Sequence, residues 1–433
     1  MNFTEVSGYK VYGYRWIVLL LFGFCTLINQ IIWITFAAIT PTATAFYGFE
    51  STQSTPIFML SLVFMIVYIP MNIPAALAID KFGLKWGTGI GVILTGVFGI
   101  LRAVSPQYHW VLIFQIGCAI GQPFLLNSFT KVSSNWFAAE EKATATSLGT
   151  AFVLIGVLLG MFITPFLVLD GDISMLLYIY GGIALGLMVI YLIFVKDKPP
   201  TPANAYSDDA KVFETKGTFS MFKSRDFNIL LILFLFGAGT FNAVSTVLAD
   251  VFASLRTPPS WIMDFFGETT ATATADLLLG ILGGAMIVGG IAGAIILSAI
   301  SDKLQKRKIF LIINAISGAV LSLAFFFVEK YVIGFGTKYI LHCIIGFLFG
   351  FLLISALPVG LTFAAEITHP MPEETSNGWL MWIGQLGGIA LIMIVMFGIN
   401  SDVWNFIIYA IILTIAAAFS FFLNDLEKYK LQQ

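Results

Sequence analysis

Charge is scarce in this sequence. Asp, Glu, Lys and Arg make up 11% of its 433 residues, whereas 58% are hydrophobic; a soluble globular domain carries about 25% charged residues. A water-soluble domain is therefore excluded, and a formal net charge of −2 gives no basic surface for nucleic acid. Cysteine is equally sparse. Cys25, Cys118 and Cys343 each lie inside an apolar run, too scattered for a zinc site or a disulfide framework. His109, His342 and His369 form no ligand pair at helical spacing. No clustered set of His, Asp, Glu or nucleophile suggests an enzyme, and no cofactor or metal is expected.

What the chain has instead is apolar runs. A membrane-spanning helix takes about 20 mostly apolar residues. Twelve such spans are expected, at 16–46, 56–79, 87–104, 109–131, 143–169, 173–195, 227–253, 276–300, 309–328, 338–365, 377–399 and 403–424. Ala43-Thr44-Ala45 resembles a signal-peptide cleavage site, but the apolar run before it, from Trp16, is too long for a signal sequence. The one long polar stretch before the tail, 196–226, holds Pro199, Pro200 and Pro202 and divides the spans six and six. The expected organisation is an N-terminal half (1–196), a linker (197–226), a C-terminal half (227–424) and a tail (425–433). The segment 254–275, with Pro258-Pro259 and a Thr-Ala run, reads as a second loop.

Orientation follows from the cations. With the N-terminus inside, 18 of the 22 Lys and Arg residues fall on the cytoplasmic side, leaving Arg102, Arg256, Lys330 and Lys338 outside. Both termini and the linker are then cytoplasmic. The outer side is comparatively acidic, with Asp250, Asp276 and Glu329 among others, which favours approach of a cation. The lean length and the lack of a targeting extension suit a plasma membrane.

Spans 2 and 3 are joined by a short charged turn, Asp80-Lys81-Phe82-Gly83-Leu84-Lys85. A turn this short forces antiparallel spans and holds its charges at the membrane surface. Ser301-Asp302-Lys303, followed by Lys306, Arg307 and Lys308, echoes it in the second half. Polar residues also line single helical faces: Thr26, Asn29, Trp33, Phe36 and Thr40 in span 1; Gln115, Cys118 and Gln122 in span 4; Asn242 and Ser245 in span 7; Gly378, Trp382, Gln385 and Gly388 in span 11. Hydrogen bonding between helices accounts for such faces as well as solute contact does, and four together favour a wet cavity. Gly156-x-x-x-Gly160 in span 5 reads as a packing seam. No charged residue sits mid-span on these faces. That argues for facilitated diffusion over proton coupling and against a strongly anionic solute.

Two six-helix halves with this turn resemble the major facilitator superfamily, an all-α membrane fold of twelve transmembrane helices in two pseudo-symmetric halves. The turn matches the superfamily's motif A, with Ala76 in place of the leading glycine. The resemblance implies that Asp80, Lys81, Gly83 and Lys85, with Asp302, Lys303 and Glu366 in the second half, act at the cytoplasmic gate. Asp80 would face the start of span 11, using the positive end of a helix. The alternative role is to anchor helix ends and set topology.

A closer resemblance is to the feline leukaemia virus subgroup C receptor-related family of haem and choline/ethanolamine transporters. It rests on Tyr68-Ile69-Pro70, Ala119-Ile120-Gly121-Gln122-Pro123-Phe124, Ala243 to Leu248, Leu357-Pro358-Val359-Gly360, Glu366-Ile367-Thr368 and Ser376-Asn377-Gly378 through Gln385. It implies that Trp33 and Gln385 contact choline, the indole face holding the ammonium and the amide the hydroxyl end. A single cation–π contact is worth about 2 kcal/mol and micromolar binding needs about 8, so further walls are required. Asn29, Gln122, Asn242 and Trp382 are the candidates. The family's helix 7 tyrosines are replaced by Phe241 and Asn242, and a polar pair on helix 5 by Val153 and Leu154. The expected partners are a small-molecule solute and the lipid bilayer, with the protein a monomer. Rival readings are a proton- or sodium-coupled symporter or exporter of another metabolite or haem, and a non-transporting receptor on the same fold.

Overall fold

The computed structural model describes residues 10–50, 54–104, 107–138, 141–168, 171–203, 218–267, 270–368, 371, 373–397 and 402–424. They form α1 (Arg15–Ala38), α2 (Thr40–Phe46), α3 (Thr55–Val104), α4 (Tyr108–Leu126), α5 (Phe129–Trp136), α6 (Lys142–Ile163), α7 (Ser174–Phe194), α8 (Thr218–Met221) and α9 (Arg225–Thr246). There follow α10 (Leu248–Val251), α11 (Ser260–Phe266), α12 (Ala271–Leu304), α13 (Arg307–Tyr331), α14 (Phe335–Leu353), α15 (Ala356–Thr368), α16 (Glu373–Phe397) and α17 (Asp402–Ser420). Among the described residues, 11 helices are long and apolar enough to cross a membrane. One of them, α3, holds two of the expected spans and changes direction at Gly83, whose φ is 78°. In α7 only a third of the apolar window is buried, so its remaining face needs lipid.

Several spans expected to be continuous are broken, for local reasons. Span 1 stops at Ala38 and resumes as α2, because Pro41 has no N–H to give and its ring opposes the carbonyl of Ala37. Thr40 Oγ1 turns back to donate to the carbonyls of Phe36 and Ala37, at 3.1 and 3.2 Å. The tenth span is likewise cut into α14 and α15, four residues ahead of Pro358. The Thr-Ala run expected as loop is helical from Ala271, with Thr270 capping α12 through its Oγ1 to the N–H of Ala273. Within the expected 254–275 loop lies α11.

The chain forms two compact units: Met1–Trp33, Val67–Val157 and Ser174–Thr215 make one, and Ile34–Ile66, Leu158–Ile173 and Lys216–Gln433 the other. In the first, Val18, Phe22, Leu84, Val92, Leu125, Trp136 and Tyr191 pack into one core. There α6 lies on α1 where Gly156 meets Leu27 and Gln30, the seam expected for that glycine. In the second unit, Phe227, Leu230, Phe234, Phe310, Phe363 and Leu380 form the core of α9, α13, α15 and α16.

A close-packed seam in the second unit joins α12 to α14. Each carries a small-xxx-small pair, Gly289 with Gly293 and Gly346 with Gly350. A Cβ on Gly289 would collide with the backbone at Phe347, on Gly293 with Phe351, and on Gly350 with Met286. Backbone cannot swing aside as a side chain can. Gly293→Val is therefore expected to destabilise by about 3 kcal/mol or more, the upper range for overpacking. Loss of the monodisperse peak in detergent chromatography checks this, with Gly182→Val, where nothing lies within 4 Å of a new Cβ, staying folded.

Candidate functional site

In the first unit Asn29, at the centre of the α1 stripe, is consumed by the bundle. Asn29 Nδ2 donates to Thr95 Oγ1 of α3 at 3.0 Å and to the carbonyl of Cys118 in α4 at 3.2 Å. Its Oδ1 accepts from Gln30 at 3.4 Å. The helices come this close because Gly91 and Gly121 face each other; a Cβ on Gly91 would lie 2.6 Å from the Gly121 carbonyl. Gln115 accepts from Arg102 Nη1 at 2.8 Å and donates to the Ile32 carbonyl at 3.1 Å. Arg102, expected outside, is wholly buried. Three residues of the stripes keep their polar atoms unspent among the described residues, and one is Thr26, whose Oγ1 is buried without a hydrogen-bond partner. Trp33 is 6% exposed and its Nε1 has no hydrogen-bond partner. Gln122 is 3% exposed and makes no hydrogen bond.

In the second unit two predicted residues meet. Asn242 Nδ2 of α9 donates to Gln385 Oε1 of α16 at 3.4 Å. Gly239, Gly384, Gly387 and Gly388 remove the side chains that would hold these helices apart. A Cβ on Gly388 would sit 2.9 Å from Asn242 Cβ and 3.3 Å from Met65 Sδ. Trp382, one turn before Gln385, is half-buried and meets Trp379 edge-on at 5.8 Å, and Trp379 meets Phe222 at 5.2 Å. An amide pair flanked by an aromatic cluster offers both hydrogen bonds and a flat apolar face.

The motif A turn is held by residues that sequence spacing did not reveal. Within its own unit Asp80 pairs with Lys131 of α5 at 3.7 Å. Asp197, just past α7, accepts from the backbone N–H of Lys85 at 3.0 Å. Its Oδ2 lies 2.8 Å from where a Gly83 Cβ would stand, so glycine is required there twice, for its φ and for space. Tyr191 donates to the Lys85 carbonyl at 3.0 Å, and Asn135 to that of Asp197 at 3.3 Å. Lys81 rests over Phe82 at 5.3 Å. The Lys-Asp-Lys run at 196–198 reads as linker charge, which is why Asp197 escapes notice.

In the second half Arg307 organises the residues expected at the gate. Its side chain, 4% exposed, donates through Nη2 and Nε to Glu366 Oε1 and Oε2, at 2.9 and 3.2 Å. Nη1 donates to Asp302 and, at 3.2 Å, to Ser301. The structure thus joins Asp302 to Glu366 and leaves Lys303 exposed, in no ion pair among the described residues. Sequence reading placed Arg307 in the basic run of the second-half echo and did not name it among the gate candidates.

Three of the acids expected to give an outer field are tied up. Asp250 accepts from Ser54 at 2.7 Å and pairs with Arg256 at 2.7 Å. Glu329 accepts from Ser254 at 3.0 Å, with Lys338 at 3.6 Å and His342 at 3.4 Å. Asp276 is 0% exposed; its Oδ2 accepts from the backbone N–H of Thr42 at 3.2 Å, and its Oδ1 has no hydrogen bond among the described residues.

Residues 19–266 match the model of the Major Facilitator Superfamily. The chain is similar to the choline/ethanolamine transporter FLVCR2 of Rattus norvegicus, with 30% identity over 89% of this chain and 69% of that protein. It is similar also to the choline/ethanolamine transporter flvcr2a of Danio rerio, with 27% identity over 91% and 82%. Among solved structures it is similar in fold to a D-xylose-proton symporter, with TM-score 0.71, 16% identity and coverage of 96% and 99%. A bacterial homologue of the human lysosomal transporter Spinster gives TM-score 0.69, 15% identity and coverage of 98% and 99%.

The bidentate geometry of Arg307 yields a prediction. Arg307→Ala should cost about 1.5–3 kcal/mol, the range for hydrogen bonds to charged groups, since Glu366 is partly solvated. Arg307→Lys should recover less than half, because an ammonium cannot make the fork. Thermal unfolding in detergent checks both.

Proposed function

Because the chain belongs to the major facilitator superfamily and, within it, to the feline leukaemia virus subgroup C receptor-related family, we propose that it carries choline, ethanolamine or a similar amine across the plasma membrane by facilitated diffusion. It is a multi-pass membrane transporter of a small solute. In our reading it acts as a monomer with both termini and the linker 197–226 in the cytoplasm. The halves 1–196 and 227–424 move against each other in alternating access.

The observation that carries the choice of solute is that the chain keeps an aromatic at Trp33 and an amide at Gln385, the two positions to which the family resemblance assigns choline contact. A quaternary ammonium has no N–H to give, so an indole face is the group that attracts it without demanding a hydrogen bond. The unspent Nε1 of Trp33 leaves that ring free of a competing polar partner. Gln385 presents its remaining amide hydrogens to a hydroxyl or an amine, with Asn242 fixing its orientation. Gln122 and Trp382 add polar and aromatic surface. Asn29 enters as a positioning residue, since its amide holds α1 to α3 and α4. Asp80, Lys81, Gly83, Lys85, Asp302, Lys303 and Glu366 serve the cytoplasmic gate, supported by Asp197 and Arg307.

A second reading, proton-linked transport, is favoured by one observation. Asp276 is a wholly buried carboxyl with a single hydrogen bond from a backbone N–H, the kind of group that carries protons in membrane transporters.

Uptake of labelled choline into proteoliposomes tests both. Wild type should show saturable uptake, indifferent to an imposed pH gradient. Trp33→Ala should lower kcat/KM roughly 30-fold, the equivalent of a 2 kcal/mol cation–π contact, with Trp33→Phe retaining part of it. Uptake that persists unchanged in Trp33→Ala would sink the assignment of the site. Uptake that needs the gradient and loses that need in Asp276→Asn would replace uniport with the second reading.

A further inference from the structure

An open groove of about 520 Å³ lies in the second unit where α9 begins and α17 ends. Its rim carries Lys223 and Arg225, both exposed and neither in an ion pair among the described residues. Its wall is mostly apolar, made by Ile229, Ile232, Phe419 and Phe422, with Asn228 beside them donating its amide to the Phe222 carbonyl at 2.7 Å. One end is fixed by Asp226, whose carboxylate accepts from the Asn424 side chain at 2.8 Å and from its backbone N–H at 3.3 Å. That carboxylate is buried and turned to Asn424, so the two cations dominate the open face. Arg225 leans over the Phe422 ring at 5.7 Å, which keeps its guanidinium at the mouth of the groove.

The surroundings say what solvent the groove meets. Phe219 of the short α8 is 77% exposed and Phe422 is 59% exposed. Bare Phe rings beside Lys and Arg at the end of apolar helices suit the boundary between headgroups and acyl chains. A soluble anion would have no use for the Ile232 and Phe419 wall, whereas acyl chains lie against such a surface.

We propose that this groove binds one anionic glycerophospholipid of the cytoplasmic leaflet, its phosphate between Lys223 and Arg225 and its chains along Ile232 and Phe419. The leaflet rests on the orientation proposed above; the lipid chemistry does not. Juxtamembrane Lys and Arg each contribute about 1 kcal/mol toward an anionic surface, equivalent to roughly fivefold in binding. Bidentate recognition makes Arg225 the stronger of the two.

Native mass spectrometry of the purified full chain in mixed phosphatidylglycerol and phosphatidylcholine tests this. Wild type should retain one phosphatidylglycerol in preference to phosphatidylcholine. Lys223→Ala and Arg225→Ala should each lower that preference roughly fivefold, and both together roughly 25-fold, with unchanged melting temperature. No preference in wild type, or one unmoved by the double variant, would overturn the site. Full displacement of the lipid by soluble glycerol phosphate would overturn the lipid assignment in favour of a free anion. A membrane-impermeant maleimide applied to Lys223→Cys in sealed vesicles, against wild-type background, settles the leaflet separately. Labelling from inside supports it, and labelling from outside overturns the leaflet and the orientation together while leaving the lipid ratio to stand on its own.

Discussion

Backbone amides that lipid cannot solvate set the terms for this structure. Inside a bilayer every N–H and C=O must find a partner within the protein. Each break in a helix frees such groups, and here carboxylates receive them from elsewhere in the sequence. Asp276 takes the N–H of Thr42 where α2 restarts after the proline break. Asp197 takes the N–H of Lys85 beyond the Gly83 reversal. Asp226 takes that of Asn424 past the end of α17. In each case residues more than a hundred positions apart are joined through one main-chain donor. A charged acceptor on a neutral donor gives a stronger bond than a neutral pair would. It also explains why a chain so poor in charge keeps these acids at bends.

That economy separates supporting polar residues from those free to meet a solute. Asn29 and Gln115 are polar at membrane depth and are spent on their neighbours. Trp33 and Gln122 are as well buried and are not. The charged residues of the second half divide in the same way. Glu366 and Asp302 are bound by one guanidinium, while Lys303 stands in water.

Much of this was legible in the sequence. Apolar runs of sufficient length gave the spans, and the family resemblance gave the fold. The charged turn was legible because Gly83 sits among Asp80, Lys81 and Lys85 within six residues. Helical spacing found the stripe on α1, but periodicity reports a face and not its occupant, so Asn29 and Trp33 looked alike. Asp197 and Arg307 were hidden because their roles depend on partners far along the chain. The break at Ile39 had a visible signal in Thr40-Pro41, outweighed by the apolar residues on both sides. The α12–α14 seam had one also, since two GxxxG pairs face each other, but glycine is so common here, 40 residues, that no single pair stands out.

The contact between Asp276 and Thr42 has a bearing on water. Both groups are polar, and both are dry while α2 rests on α12. Parting the two would hydrate a buried carboxyl and a peptide N–H at once, so solvent replaces the bond given up and also reaches Oδ1, which has no hydrogen bond among the described residues. An apolar contact of equal size would hold by surface burial and resist wetting. The contact between α2 and α12 is thus held by a bond that water competes for directly. Its breaking is linked to water activity, and excluded osmolytes favour the intact contact over the hydrated one.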